Sequence, residues 1–249
     1  MADLDTQAIQ DGHRSASARH AWPGGEMVYD QTVLAGPSPQ WFDPANAALG
    51  AQPVSAGGRA AAWYVSIHAV AAVLRRYRRG GLVARVVRDR YVWQGLSRAR
   101  SFAEFDLMRT LWLAGLPVPR PLAAAVWRGR FTYRAAILTA RIAGATPLSQ
   151  ANRPEIWSNA GRVIAEMHRL GAWHADLNVF NILIDDQAQV WLIDFDRGHL
   201  GHLTDAQRAD NLSRLLRSVR KVVPELESSC WASLNKAYHA RWHDSEKAL

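Results

Sequence analysis

Residues 173–198 read WHADLNVFNILIDDQAQVWLIDFDRG, and this stretch decides the fold. Two short apolar runs, Asn181-Ile-Leu-Ile184 and Val190-Trp-Leu-Ile-Asp194, flank the polar cluster Asp185-Asp-Gln-Ala-Gln189. Apolar runs of that length around a turn-like cluster predict a β-hairpin. Such a hairpin brings Asn181, where the first strand begins, close to Asp194, where the second one ends. Asp176 lies five residues before Asn181 and eighteen before Asp194. Two carboxylates and an amide are thereby gathered by local chain geometry alone.

His174-x-Asp176-Leu177-x-x-x-Asn181 resembles the catalytic-loop pattern of protein-kinase-like phosphotransferases, and Asp194-Phe195-Asp196 stands where their D-F-G does. Phosphoryl transfer asks the protein for positioning and charge neutralisation more than for covalent chemistry. One carboxylate must orient the attacking hydroxyl and take its proton, the part assigned to Asp176, with His174 as its catalytic-loop companion. A second carboxylate and an amide oxygen must hold Mg2+ against the phosphates of ATP, the parts assigned to Asp194 and Asn181. The other reading, ordinary loop carboxylates beside a buried hairpin, has to explain four typed positions at matching spacings.

Composition bounds the class. A chain of 249 residues is long enough for a sizeable core in two lobes. With 49% apolar and 21% charged residues, it reads as folded and not disordered. Its single cysteine, Cys230, excludes an internal disulfide framework. No run approaches the roughly 20 apolar residues of a membrane-spanning helix. The start, MADLDTQAIQDGHR, has neither a basic n-region nor an apolar h-region, so a cytoplasmic protein is expected.

The net charge of +8 is concentrated. Arg75, Arg76, Arg78, Arg79, Arg85, Arg88, Arg90, Arg98 and Arg100 face only one acid, Asp89, within residues 75–100. Such a window implies an anionic partner, whether nucleic acid, an anionic membrane face or a phosphorylated substrate. The alternative is a solvated face in an arginine-rich chain.

The predicted architecture is α+β, a protein-kinase-like two-lobed fold. It has a flexible N-terminus over 1–25, a β-rich N-lobe over 26–143 and a mostly helical C-lobe over 144–249. Gly57-Gly58 precedes a predicted strand from Ala61 to Ile67, and a second run, Ala69–Leu74, leads into Arg75. A glycine pair there lets backbone amides approach ATP phosphates, although a plain hairpin turn fits the same residues. Arg75 occupies the place of the protein-kinase strand lysine, with Arg76 as competitor for the phosphates on the other strand face. Glu104, on an amphipathic helix opened by Ser101, either completes a capping box or pairs with Arg75. Thr132–Leu138 is expected as an edge strand beside the hinge, and a helix is expected from about Asn152 to Leu170. After Gly198 the chain is expected to be helical, broken at Pro224.

Taken together the chain resembles the 3-deoxy-D-manno-octulosonic acid (Kdo) kinase family over about Trp41–Trp242. The resemblance rests on Val73-Leu-Arg-Arg-Tyr-Arg-Arg-Gly-Gly81, Arg100-Ser-Phe-Ala-Glu-Phe105, Gly115-Leu-Pro-Val-Pro-Arg-Pro121, His174-Ala-Asp-Leu-Asn178 and Val190-Trp-Leu-Ile-Asp-Phe-Asp-Arg-Gly198. It implies ATP-dependent phosphorylation of the 4-hydroxyl of Kdo on a Kdo–lipid A precursor, in lipopolysaccharide core biosynthesis. It also implies a peripheral protein on the cytoplasmic face of the inner membrane, and an arginine in place of the strand lysine. Arg78, Arg79, Arg88 and Arg90 are then candidates for the anionic acceptor or the membrane surface. No nucleic acid and no protein partner are expected. Competing readings are another small-molecule kinase of this fold, a protein kinase, and a basic nucleic-acid-binding protein with a degenerate kinase core. The arginine window disfavours a polycationic acceptor. No A-P-E follows Gly198, and the intact Asp176, Asn181 and Asp194 weigh against degeneracy.

Overall fold

The computed structural model describes residues 17–54, 62–78 and 89–246. They form two compact units. One comprises the residues up to Asp106 together with Arg120–Arg141, and the other Leu107–Pro119 together with the residues from Ile142 onward.

The first unit is built on an antiparallel sheet. Its strands are β1 (Ser17–Trp22), β2 (Gly25–Asp30), β3 (Gln52–Pro53), β4 (Ala62–Ile67), β5 (Val70–Arg76), β6 (Tyr91–Val92), β7 (Pro121–Arg128) and β8 (Thr132–Ala140). Their order is β1-β2-β7-β8-β5-β4-β3, with β6 added on β8. Met27, Leu34, Trp41, Phe42, Val65, Leu74, Leu122 and Leu138 are among the side chains that pack its core. Helix α1 (Arg100–Leu113) begins in this unit, where Phe102 and Phe105 are buried.

Two expectations fail here. Ser17–Trp22, assigned to a flexible N-terminus, is a strand paired residue by residue with β2, from Ser17 opposite Asp30 to Trp22 opposite Gly25. Pro23-Gly24-Gly25 is therefore a hairpin turn: Gly24 takes φ +84°, and a Cβ on Gly25 would sit 2.4 Å from the Trp22 ring. The second failure concerns β8, expected at an edge. It lies between β7 and β5, pairing Arg75 with Ile137 and Ala124 with the same residue. Ala135–Leu138 is buried throughout, as a strand covered on both faces must be.

The second unit is mostly helical. Its helices are α2 (Pro154–Arg169), α3 (Asp205–Val222) and α4 (Ala232–Glu246). Trp157, Ala160, Ile164 and Met167 form the buried stripe of α2 at helical spacing. Gly161 lets α2 and α4 approach closely, because a Cβ there would meet the Leu234 carbonyl oxygen at 2.2 Å. Thr204 and Gln207 cap α3 reciprocally, a motif worth about 1 kcal/mol. Pro224 follows the end of α3.

Short strands complete this unit: β9 (Thr146–Pro147), β10 (Ala172–Trp173), β11 (Ile182–Ile184), β12 (Val190–Leu192) and β13 (His199–Leu200). The expected hairpin is β11–β12, registered Ile182 to Leu192 and Ile184 to Val190, with β9 on its outer edge. Asp185 shapes the turn. Its Oδ1 accepts from the Gln187 and Gln189 amides at 3.0 and 2.9 Å, and its Oδ2 accepts from Trp191 Nε1 at 2.8 Å. The chain after Gly198 is not wholly helical, since β13 first pairs with β10. Among the described residues no helix is long and apolar enough to cross a membrane.

Candidate active site

The catalytic loop leaves β10 at His174 and reaches β11 at Asn181, and its backbone is fixed from within. The Asp176 carbonyl accepts from Asn178 Nδ2 at 3.0 Å and Asn181 Nδ2 at 2.9 Å. Asn178 Oδ1 in turn accepts from the Phe180 and Asn181 amides at 2.9 and 3.2 Å. Asn181 O accepts from Ile193 N at 3.0 Å, so the hairpin ladder runs on to the residue before Asp194. Asp194 itself has φ +62°. A non-glycine residue in the left-handed region costs on the order of 1 kcal/mol, and such strain tends to persist where side-chain placement is functional.

His174, which the sequence reading sets beside Asp176 as its catalytic-loop companion, is fully buried. Its Nδ1 accepts from the Asp176 amide at 3.1 Å, and its Nε2–H donates to the Ile193 carbonyl at 2.9 Å. Those two bonds tie the loop that carries Asp176 to the segment after β12 that carries Asp194. The ring also packs on Phe195 with centroids 4.8 Å apart. Burial pushes its pKa below the ordinary value, opposed by the Ile193 hydrogen bond and the Asp194 and Asp176 charges. A neutral imidazole with both nitrogens engaged positions the loop; it has no proton to trade.

Further residues hold this frame that the sequence did not single out. Asn211, buried on α3, accepts from the His174 amide at 3.2 Å and donates to its carbonyl at 2.8 Å. The same Oδ1 receives His168 Nε2 at 3.1 Å, and His168 Nδ1 meets the Tyr238 hydroxyl at 2.8 Å. A buried line thus runs from α4 through α2 and α3 to the loop. Arg214, also on α3, places Nη1 3.1 Å from Asp176 Oδ1. The one available sequence signal was an asparagine at the edge of the apolar stripe of α3, beside Leu212 and Leu215.

Asp176 is exposed and Asn181 and Asp194 are half-buried. This is an oxygen donor set: a carboxylate, plus an amide whose nitrogen is engaged elsewhere. It suits Mg2+, which binds few protein oxygens and keeps waters and phosphate oxygens as its remaining ligands. Among the described residues no cluster of three or more His, Cys, Asp or Glu forms a self-contained metal cage.

The sheet unit carries the other predicted constellation. Arg75 pairs with Glu104, which is only 3% exposed, and Tyr77 donates its hydroxyl to the same carboxylate. The Arg75 guanidinium lies 4.6 Å from the Tyr77 ring centre. Glu104 therefore turns to Arg75, and Ser101 bonds instead to the Ala125 carbonyl at 3.0 Å. Arg76 points to the opposite strand face, donating to the Phe42 carbonyl at 2.8 Å and to Asp43 at 3.2 Å. Arg78 and Arg90 are exposed. Gly57, Gly58, Arg79 and Arg88 lie outside the described residues.

The family model described as "Lipopolysaccharide kinase (Kdo/WaaP) family" matches residues 47–238. The chain belongs to this family. Curated relatives named 3-deoxy-D-manno-octulosonic acid kinase include one from Stenotrophomonas maltophilia (strain R551-3), 44% identical over 228 residues, 88% of this chain and 91% of the relative. Another, from Xylella fastidiosa (strain M23), is 48% identical over 77% of this chain and 80% of the relative. Among solved structures, the ROP18 kinase domain in complex with AMP-PNP and sucrose aligns with TM-score 0.40 and 13% identity, over 60% of this chain and 51% of that one. That likeness is too distant to bear on the site. As a lipopolysaccharide kinase the chain is an ATP-dependent phosphotransferase, and its build is α+β, with a sheet unit and a helical unit.

Proposed function

We propose that this kinase transfers the γ-phosphoryl group of ATP to the 4-hydroxyl of a Kdo residue on a Kdo–lipid A precursor, at the cytoplasmic face of the inner membrane. The observation that carries the reading is the continuous hydrogen-bonded frame linking Asp176, Asn181 and Asp194. The relatives named Kdo kinase supply the acceptor.

In this reading Asp176 accepts the proton of the 4-hydroxyl as that oxygen bonds to the γ-phosphorus. The bond from phosphorus to the bridging oxygen breaks, and ADP leaves. Asn181 and Asp194 hold Mg2+, which supplies charge neutralisation at the phosphates when bound. Arg75, fixed by Glu104 and Tyr77, brings its positive charge to the nucleotide phosphates. Gly57 and Gly58 offer backbone amides to the same phosphates. Arg78, Arg79, Arg88 and Arg90 meet the anionic lipid surface or the acceptor's charged groups.

The test is incubation with γ-labelled ATP and purified Kdo–lipid A precursor, followed by mass spectrometry of the lipid. One added phosphoryl group on Kdo is expected, with position 4 identified by fragmentation. Phosphate found on the glucosamine backbone, or none transferred, overturns the reading. Asp194→Ala should weaken Mg–ATP binding more than acceptor binding; equal effects on both would remove it from the metal site.

A further inference from the structure

Helix α3 carries a polar stripe beside its apolar one. Asn211, Arg214 and Ser218 stand at i, i+3 and i+7, the spacing of one helical face. Each reaches the catalytic loop: Asn211 at His174, Arg214 at Asp176, and Ser218 through its Oγ, which accepts from the Val179 amide at 3.3 Å. Asn211 and Ser218 satisfy backbone groups, as a fixed loop requires. Arg214 is different, because it brings a full positive charge to the carboxylate assigned to the acceptor hydroxyl.

A neutral donor is enough to orient a carboxylate, and the loop already uses Asn178 and Asn181 in that way on its backbone. The charge therefore calls for another explanation. Arg214 is fixed at its inner edge, where Nε is buried without a hydrogen-bond partner among the described residues, while the side chain as a whole stays 42% exposed. A guanidinium offers five donors in a planar fork, and one contact to Asp176 Oδ1 leaves others for a second oxyanion. In the reaction proposed above, the phosphates already have Mg2+ and Arg75. A carboxylate on the acceptor sugar that approached Asp176 would meet a like charge, and Arg214 is the cation already paired with Asp176.

We propose that Arg214 is a specificity-determining residue that receives the carboxylate of a sugar-acid acceptor while Asp176 takes the proton from its hydroxyl. The proposal rests on the kinase reading and deepens it, selecting acidic over neutral sugars at the same site.

The experiment compares wild type, Arg214→Gln and Arg214→Lys on two acceptors, the Kdo-bearing glycolipid and its carboxyl methyl ester. For each, kcat and KM are resolved for acceptor and ATP, and acceptor binding is measured by calorimetry without nucleotide. Wild type should prefer the acid over the ester by about 10- to 100-fold in kcat/KM, the worth of one charged hydrogen-bonded contact. Arg214→Gln should lose most of that preference, chiefly through acceptor KM and calorimetric affinity, with ATP KM within about threefold of wild type. Arg214→Lys, which keeps the charge and loses the fork, should fall between them. Equal losses on acid and ester would overturn the proposal, placing Arg214 on Asp176 or the transferred phosphoryl group alone. A wild type that phosphorylates both acceptors equally removes this assignment and leaves the kinase reading standing. A wild type that phosphorylates neither removes the kinase reading, and the proposal falls with it. Should Arg214→Gln show no melting transition, Arg214→Lys on the two acceptors decides by the same comparison.

Discussion

The two charged constellations of this chain are built on opposite plans. In the helical unit Asp176, Asn181 and Asp194 fall within one stretch, and backbone hydrogen bonds of a loop and hairpin set their spacing. In the sheet unit Arg75 and Glu104 are 29 residues apart, and side-chain charge holds them together with Tyr77. The first arrangement can lose a side chain and keep its frame. In the second, the side chains are the frame. Substitutions should therefore separate chemistry from stability in one unit and couple them in the other.

Asp176→Asn gives the largest expected effect and the sharpest form of that contrast. Asp176 contributes its backbone carbonyl and amide, not its exposed side chain, to the loop's internal bonds, so the melting temperature should stay near wild type. Turnover should fall by roughly 10²- to 10⁴-fold, the usual worth of a general base. A variant that kept a tenth of wild-type kcat would remove Asp176 from proton transfer. One that melted early would show that the frame depends on the Arg214 ion pair after all.

Glu104→Gln should behave in the opposite way. Removing the charge from a buried, doubly engaged carboxylate costs about 3–5 kcal/mol when its partner stays buried. Arg75 keeps 23% side-chain exposure, so a loss nearer 2–3 kcal/mol is expected, read as a lowered thermal transition. ATP KM should rise together with that loss. Stability lost with ATP KM unchanged would make the pair purely structural, and would break the link between Arg75 and nucleotide.

How much was legible follows the same division. The hairpin, its turn and the placing of Asp176, Asn181 and Asp194 around it could be read because their geometry is local: period, turn residues and spacing are all visible in one stretch. Asn211 and Arg214 could not, because they reach the loop from a helix some 37 residues downstream, and helical periodicity reports which face is apolar, not what the polar face touches. Strand alternation placed Arg75 and Arg76 on opposite faces but left open which face met α1. The Ala135–Leu138 run did carry a sign of a central strand, since continuous burial of both faces needs continuous apolar residues. Ser17–Trp22 was missed because its Arg and His obscure the alternation, although Pro23-Gly24-Gly25 marked a hairpin turn.

The buried line behind the catalytic loop gives a pH test of the helical unit. Burial lowers His168 to about 4, outweighing the hydrogen bond it donates to Asn211 Oδ1, which favours the proton. The folded protein then binds a proton less readily than the unfolded chain, whose imidazole titrates near 6.5. The stability associated with neutral His168 is complete above pH 6.5 and is lost as pH falls toward 4. Each pKa unit is about 1.4 kcal/mol, so the loss approaches ~3 kcal/mol at the lower end. His174, lowered in the same direction, adds to it. His168→Gln should flatten this part of the stability–pH curve; an unchanged curve would show that the acid sensitivity lies elsewhere.

The smallest effect is expected where neither plan operates. Arg78 and Arg90 are exposed on the sheet unit, and neither has a hydrogen bond or ion pair within 4 Å among the described residues. Neutralising both to glutamine should leave the melting temperature unchanged, unlike Glu104→Gln, because nothing in the core depends on them. If they face an anionic leaflet, each contributes about 1 kcal/mol, so the double variant should partition onto phosphatidylglycerol-containing vesicles roughly 10- to 30-fold less. ATP KM should hold, since the nucleotide is assigned to Arg75. Salt should imitate the substitution, because exposed charges are screened beyond ~8 Å at physiological ionic strength. A solvated face predicts no change in vesicle binding at any salt concentration. Loss of acceptor affinity in detergent solution, where there is no leaflet, would instead assign these arginines to the acceptor's own phosphates.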